Sequence, residues 1–119
     1  MTRVLICGDR NGGFDEPIAK LIMDELLPGD VIIQGMCQGV DRTARYLGLK
    51  YGFEVEDYPA DWDKYGKAAG PIRNKQMLDE GQPDKVYAFH PDITKSKGTK
   101  NMVEQASKRG IEVIVVNEV

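Results

Sequence analysis

Short runs rich in Val and Ile recur along this sequence, each closed by a glycine, a proline or a polar turn and followed by a longer stretch of helical period. The runs fall at residues 4–7, 31–34, 53–58, 86–89 and 111–116. A strand covered on both faces reads as a continuous apolar run. Its alternation with helical segments is therefore the pattern that βαβ units leave in a sequence.

The intervening segments carry helix signals. Asp15 stands as an N-cap, Glu16 and Pro17 suit a first turn, and Ile18, Leu21, Ile22 and Leu26 share a face before Pro28 and Gly29 end it. Residues 40–51 read as a second helix, stopped by Gly52. Pro71 opens a helix through Leu78, with Ile72 and Met77 facing inward and Arg73 and Asn74 projecting from its first turn. Gly98 or Thr99 opens the last helix, which ends at Gly110. Residues 60–70 show neither period and read as a loop or a short irregular helix, long enough in so small a domain to suggest a function.

Five strands and four long connections predict a single α/β domain over residues 1–119, a three-layer Rossmann-like doubly wound parallel sheet of order 3-2-1-4-5. With that order, the ligand crevice lies between the loop at 8–13 and the loop at 90–98.

Composition narrows the function. A hydrophobic content of 41% over 119 residues is enough for one core. Sixteen Lys and Arg against nineteen Asp and Glu leave a net charge of −3, which argues against broad binding to nucleic acid and leaves room for a local basic site. Cys7 and Cys37 have neither CxxC spacing nor a His cluster, so no metal is expected, and no motif calls for a cofactor. The apolar runs are far shorter than the roughly 20 residues of a membrane span, and the amino terminus lacks a signal-peptide core. A cytoplasmic protein with no membrane partner is the expectation.

Four segments at strand ends could meet an anion. In Gly8, Asp9 and Arg10, with Gly12 and Gly13 behind them, glycines admit a close approach of backbone amides and Arg10 can fork onto phosphate, or the segment is a tight turn with a solvated Arg. In the loop flanked by Gly35 and Gly39, Asp41 either complements a helix dipole or accepts ligand hydroxyls. Arg73 at a helix start calls for a nearby anion, or for a salt bridge to Asp61 or Asp63. Lys97, Gly98 and Thr99, with Lys100, offer free amides, a hydroxyl and charge, or simply an N-cap. His90 follows the fourth strand as the sole histidine, and Trp62 and Tyr65 either stack on a base or cover the sheet.

These segments resemble the SLOG superfamily, which links the DNA-processing protein of natural transformation to the LONELY GUY phosphoribohydrolases. They look most like its small stand-alone bacterial or phage-borne members. Those carry a GSR-like first loop, a GGxxGxDxxA-like second loop, a segment from Trp to AGPIRNxxM and a KGTxxMV segment, here at 8–10, 35–44, 62–77 and 97–103. The resemblance implies a Rossmann-like fold, a site for a phosphate-bearing nucleotide or nucleotide-derived metabolite such as an ADP-ribose-type signal, and self-association into a homo-oligomer. The LONELY GUY enzymes carry PGGxGTxxE with a catalytic Glu. Alignment on Gly98 and Thr99 puts Met102 at that position, with Lys95 and Ser96 at the first two glycines, while Arg73 matches the family's arginine. Met102 can neither activate water nor stabilise an oxocarbenium ion, and Glu104 lies about 200° further round the helix. Binding is therefore expected ahead of catalysis. Hydrolysis of a nucleotide N-glycoside by Asp9 or Asp41 is the alternative, and a single-strand or protein-interaction module the third.

Overall fold

A computed structural model describes residues 1–119. Its elements are β1 (Arg3–Gly8), α1 (Asp15–Glu25), β2 (Val31–Gln34), α2 (Val40–Lys50), β3 (Glu54–Asp57), α3 (Trp62–Tyr65), α4 (Ala69–Gly81), β4 (Lys85–Phe89), α5 (Gly98–Lys108) and β5 (Glu112–Val116). The five strands form one parallel sheet in the order β3-β2-β1-β4-β5, as the sequence predicts.

Alternate residues of the central strands feed two cores. Val4 and Ile6 point to one face, joining Ile18 and Ile22 of α1 and Val40 and Ala44 of α2. Leu5 and Cys7 point to the other, joining Met77 and Leu78 of α4 and Met102 and Ala106 of α5. Leu5 pairs with Ile33 on one side and Val86 on the other, a row of fully covered side chains that sets the register of the inner strands. Truncating one of them to Ala costs about 2–5 kcal/mol. No helix is long and apolar enough to cross a membrane.

Local departures from the sequence reading have physical causes. Asp15 is the first helical residue of α1 and Phe14 its cap, with no side-chain capping bond, and the helix gives way to extended backbone at Leu26. Residues 60–70 take the second of the two expected forms, short helical turns in place of a loop: Asp61 accepts from the Lys64 amide to cap α3, a 3₁₀ turn follows at Gly66–Ala68, and α4 begins at Ala69. Pro71 is thus the third residue of α4, tolerated because a first-turn amide has no helical acceptor. The earlier start puts Arg73 in the second turn, and Ala69, Arg73 and Met77 fall in one i, i+4 row beside Gly70, Asn74 and Leu78. Arg73 and Asn74 are buried and Ile72 is exposed, the reverse of the expected facing, while Met77 packs inward as expected.

Candidate functional site

Six polar or charged residues are buried. Asp30 ties the β1 end of the sheet to the turn after α1, accepting the Thr2 and Leu27 amides. Gln34, Asp41, Arg73, Asn74 and Thr99 gather at the opposite edge, where the strands end. The loops after β1 and β4 enclose a cavity of about 540 Å³ there, at the point where the strand order reverses.

Gly8, Gly35 and Gly39 accommodate protein, whereas nothing lies within 4 Å of a Cβ on Gly13. A Cβ on Gly8 would lie 2.2 Å from the Phe89 carbonyl oxygen, and one on Gly39, whose φ is +80°, 2.2 Å from the Asp9 carbonyl oxygen. That Asp9 oxygen accepts the Val40 amide at 3.0 Å and the Gly12 amide at 3.0 Å, so the first loop closes over the amino end of α2. Gly35 and Gly39 stand outside the main cavity, whereas Gly8, Asp9, Arg10, Asp41, Arg73, Asn74, Lys97, Gly98 and Thr99 line it. Asp9 also accepts the Asn11 amide in a local turn at 2.9 Å.

Arg73 is 7% exposed and in none of the salt bridges, so neither Asp61 nor Asp63 pairs with it. Its Nη1 donates to the Gly35 carbonyl at 2.5 Å and lies 3.5 Å from Cys37 Sγ, and Nε donates to Asn74 Oδ1 at 3.0 Å. Nη2 makes no protein hydrogen bond, and no buried polar atom is left unsatisfied, so Nη2 keeps some accessible surface on a side chain that lines the cavity. The nearest buried charge is Asp41, whose carboxylate accepts the Cys37 amide at 3.2 Å. Burial pushes the Asp41 carboxyl up to about 6, against the opposing pull of the Arg73 charge and the amides of Cys37 and Gly35. Burial likewise raises the Cys7 thiol, which keeps it protonated and unreactive.

Asn74 joins α4 to the amino end of α5, donating from Nδ2 to the Gly98 carbonyl at 3.2 Å and to Asn101 Oδ1 at 3.1 Å. The Thr99 amide is taken by Ser96 Oγ at 3.0 Å, but the Thr99 hydroxyl has no protein partner and faces the cavity. Nothing lies within 4 Å of where a Cβ on Gly98 would sit. Lys95, rather than Lys100, joins Lys97 on the wall. His90 Nδ1 accepts the Asp92 amide at 2.9 Å, so the neutral ring carries its proton on Nε2. Four cations (Arg10, Arg73, Lys95 and Lys97) thus face two carboxylates in a chain whose net charge is −3.

The sequence reading missed Cys37, which lines the cavity, and its neighbour Met36. Met36 has φ +61° and stands where the resembled loop pattern has its second glycine. Trp62 and Tyr65 do not cover the sheet; both are exposed.

The fold and the strand-end crevice define a Rossmann-like α/β protein. An X-ray structure of DNA processing protein A from Streptococcus pneumoniae superposes with a TM-score of 0.75 at 18% identity, over 100% of this chain and 51% of that one. The chain therefore spans about half the length of that structure and shares its fold. No family model matches the sequence. The Gene 61 protein of Mycobacterium phage D29 is 37% identical over 122 aligned positions, 96% of this chain and 95% of the relative, and the chain belongs to the family of that protein.

Proposed function

We propose that the chain binds, and so senses or sequesters, a phosphate-bearing nucleotide or nucleotide-derived metabolite such as an ADP-ribose-type signal, as a member of the SLOG superfamily. The observation that carries this reading is Arg73: a buried guanidinium on the cavity wall that makes no ion pair and whose Nη2 has no protein acceptor. Asp41, whose carboxyl is itself raised by burial, makes no ion pair with it and offsets the buried charge only in part, and an anionic ligand supplies the rest. The Gly98 amide, which donates to no protein acceptor, the Thr99 hydroxyl and Lys97 belong to the wall where such an anion would sit. Calorimetry with ribose 5-phosphate, AMP and ADP-ribose tests it. At least one is expected to bind with micromolar affinity, and R73A to lose it; no binding by any of them overturns the reading.

Hydrolysis of the bound N-glycoside is the second reading. It is favoured by Asp41, a cavity-lining carboxyl raised to about 6, in the range of a general acid or base near neutral pH. Release of free base from AMP, abolished in D41N, supports it. Stable AMP over long incubation removes it. Single-strand binding is the less favoured reading, because a chain of net charge −3 repels a polyanion overall. Self-association, implied by the SLOG resemblance, is read from light scattering with and without AMP.

A further inference from the structure

A second cavity, of about 380 Å³, adjoins the first and shares three of its walls: Arg10, Cys37 and Arg73. Its far side is built from Met36, Pro59 and Trp62. The indole is 50% exposed, and its edge is seated against Gly70 of α4, where a Cβ would meet Trp62 Cη2 at 3.4 Å. An aromatic ring half open to a cavity, with its edge supported by a helix, is a platform for another ring. Tyr65 is a different case, since the Lys64 ammonium already lies 5.0 Å from its ring centre.

Met36 adds a second, independent observation. A side chain is held there at φ +61°, where glycine would be unstrained. Gln34, itself buried, fixes it by accepting the Met36 amide at 2.7 Å and pointing Nε2 at the thioether at 3.5 Å. Strain kept at a cavity wall points to a use for the side chain. The thioether is polarisable and suits the edge of an aromatic ligand.

Resting on the nucleotide reading above, we infer that this second cavity is a base subsite, in which a planar nucleobase stacks on Trp62 while the phosphate of the same mononucleotide lies at the start of α5. Arg73, common to both cavities, stands between base and phosphate. The Gln38 amide at the rim can meet the edge of the ring.

Trp62 is the only tryptophan, so its fluorescence reports this subsite alone. The full-length protein is titrated with ribose 5-phosphate and with AMP. Both are expected to bind through Arg73, AMP at least tenfold tighter and with quenching of Trp62. W62A is expected to weaken AMP about tenfold and leave ribose 5-phosphate unchanged, with W62F keeping most of the difference. Equal affinities for the two ligands, or W62A weakening both alike, overturn the base subsite while leaving the phosphate reading standing. Quenching by a single-stranded oligonucleotide but not by AMP also overturns it. Failure of ribose 5-phosphate and AMP alike to bind the unmodified protein overturns both.

Discussion

The Arg73 guanidinium lies across the backbone of Gly35: Nη1 donates to the Gly35 carbonyl at 2.5 Å, and a Cβ at Gly35 would come within 2.6 Å of the same nitrogen. The absence of a side chain at 35 is what lets α4 send a buried cation under the loop after β2. G35A is therefore expected to expel the guanidinium, lowering stability by about 1–3 kcal/mol in urea unfolding and abolishing ribose 5-phosphate binding as R73A does. Unchanged stability with unchanged binding would contradict this packing.

Two other glycines separate folding from binding. At Gly39 a Cβ would sit 2.2 Å from the Asp9 oxygen at a φ of +80°, so G39A carries both a backbone clash and strain. A loss of more than about 3 kcal/mol, or failure to fold, is expected. At Gly98 there is open space, and Ala in a helix gains up to about 1 kcal/mol over Gly. G98A should be as stable as the natural chain or slightly more so, yet bind phosphate at least tenfold more weakly, because the methyl group enters the cavity. Thermal melts and calorimetry on the pair decide it.

Asp41 and Asp30 should pull stability in opposite directions with pH. Asp41 is raised from 3.8 to about 6, so the folded protein holds a proton that the unfolded chain has released. Its contribution is complete below the unfolded value and is lost as pH rises through about 6, on the order of 3 kcal/mol in all. Asp30 is lowered by the Leu27 and Thr2 amides, so its contribution is present above the unfolded value and lost as pH falls through the folded one. Urea midpoints against pH should therefore fall between about pH 4 and 6 in the natural chain. D41N flattens that fall, and D30N flattens the acid limb instead. A D41N profile parallel to the natural one would show that Asp41 titrates normally.

Asn74 holds the cationic wall against α5, with Arg73 on its oxygen and Gly98 and Asn101 on its nitrogen. N74D keeps an acceptor for Arg73 but turns an oxygen toward the Gly98 carbonyl and Asn101 Oδ1 and brings a negative charge to the cavity. A cost of about 1–3 kcal/mol and loss of AMP binding are expected, and N74D binding AMP as well as the natural chain would exclude this role.

The strand order was legible because buried strands announce themselves: the runs 4–7, 31–34 and 86–89 have no polar alternation, and only a centrally placed parallel strand tolerates that. The converging loops followed from the order. The facing of Arg73 was not legible, because Pro71 looks like the start of a helix that begins two residues earlier, at Ala69, behind a turn capped by Asp61. Neither was the burial of Asp41 or the job of Gly39, since the partners concerned, Arg73 and Asp9, come from distant elements. The small residues Ala69 and Gly70 carry no periodicity, so the signal had to come from tertiary packing.

Met36 offers the sharpest separation of strain from use. At φ +61° a methionine is costlier than glycine by roughly 1–2 kcal/mol, while glycine gives back about 0.4–1 kcal/mol through the freer unfolded chain. M36G should thus be within about 1 kcal/mol of the natural chain. If the side chain serves beside Trp62 as a wall of the base subsite, the same substitution should cut the advantage of AMP over ribose 5-phosphate several-fold, with ribose 5-phosphate binding untouched. Paired urea unfolding and AMP titration of M36G measure both. A loss of stability above about 2 kcal/mol with the AMP preference intact would mean that Met36 belongs to the core and not to the site.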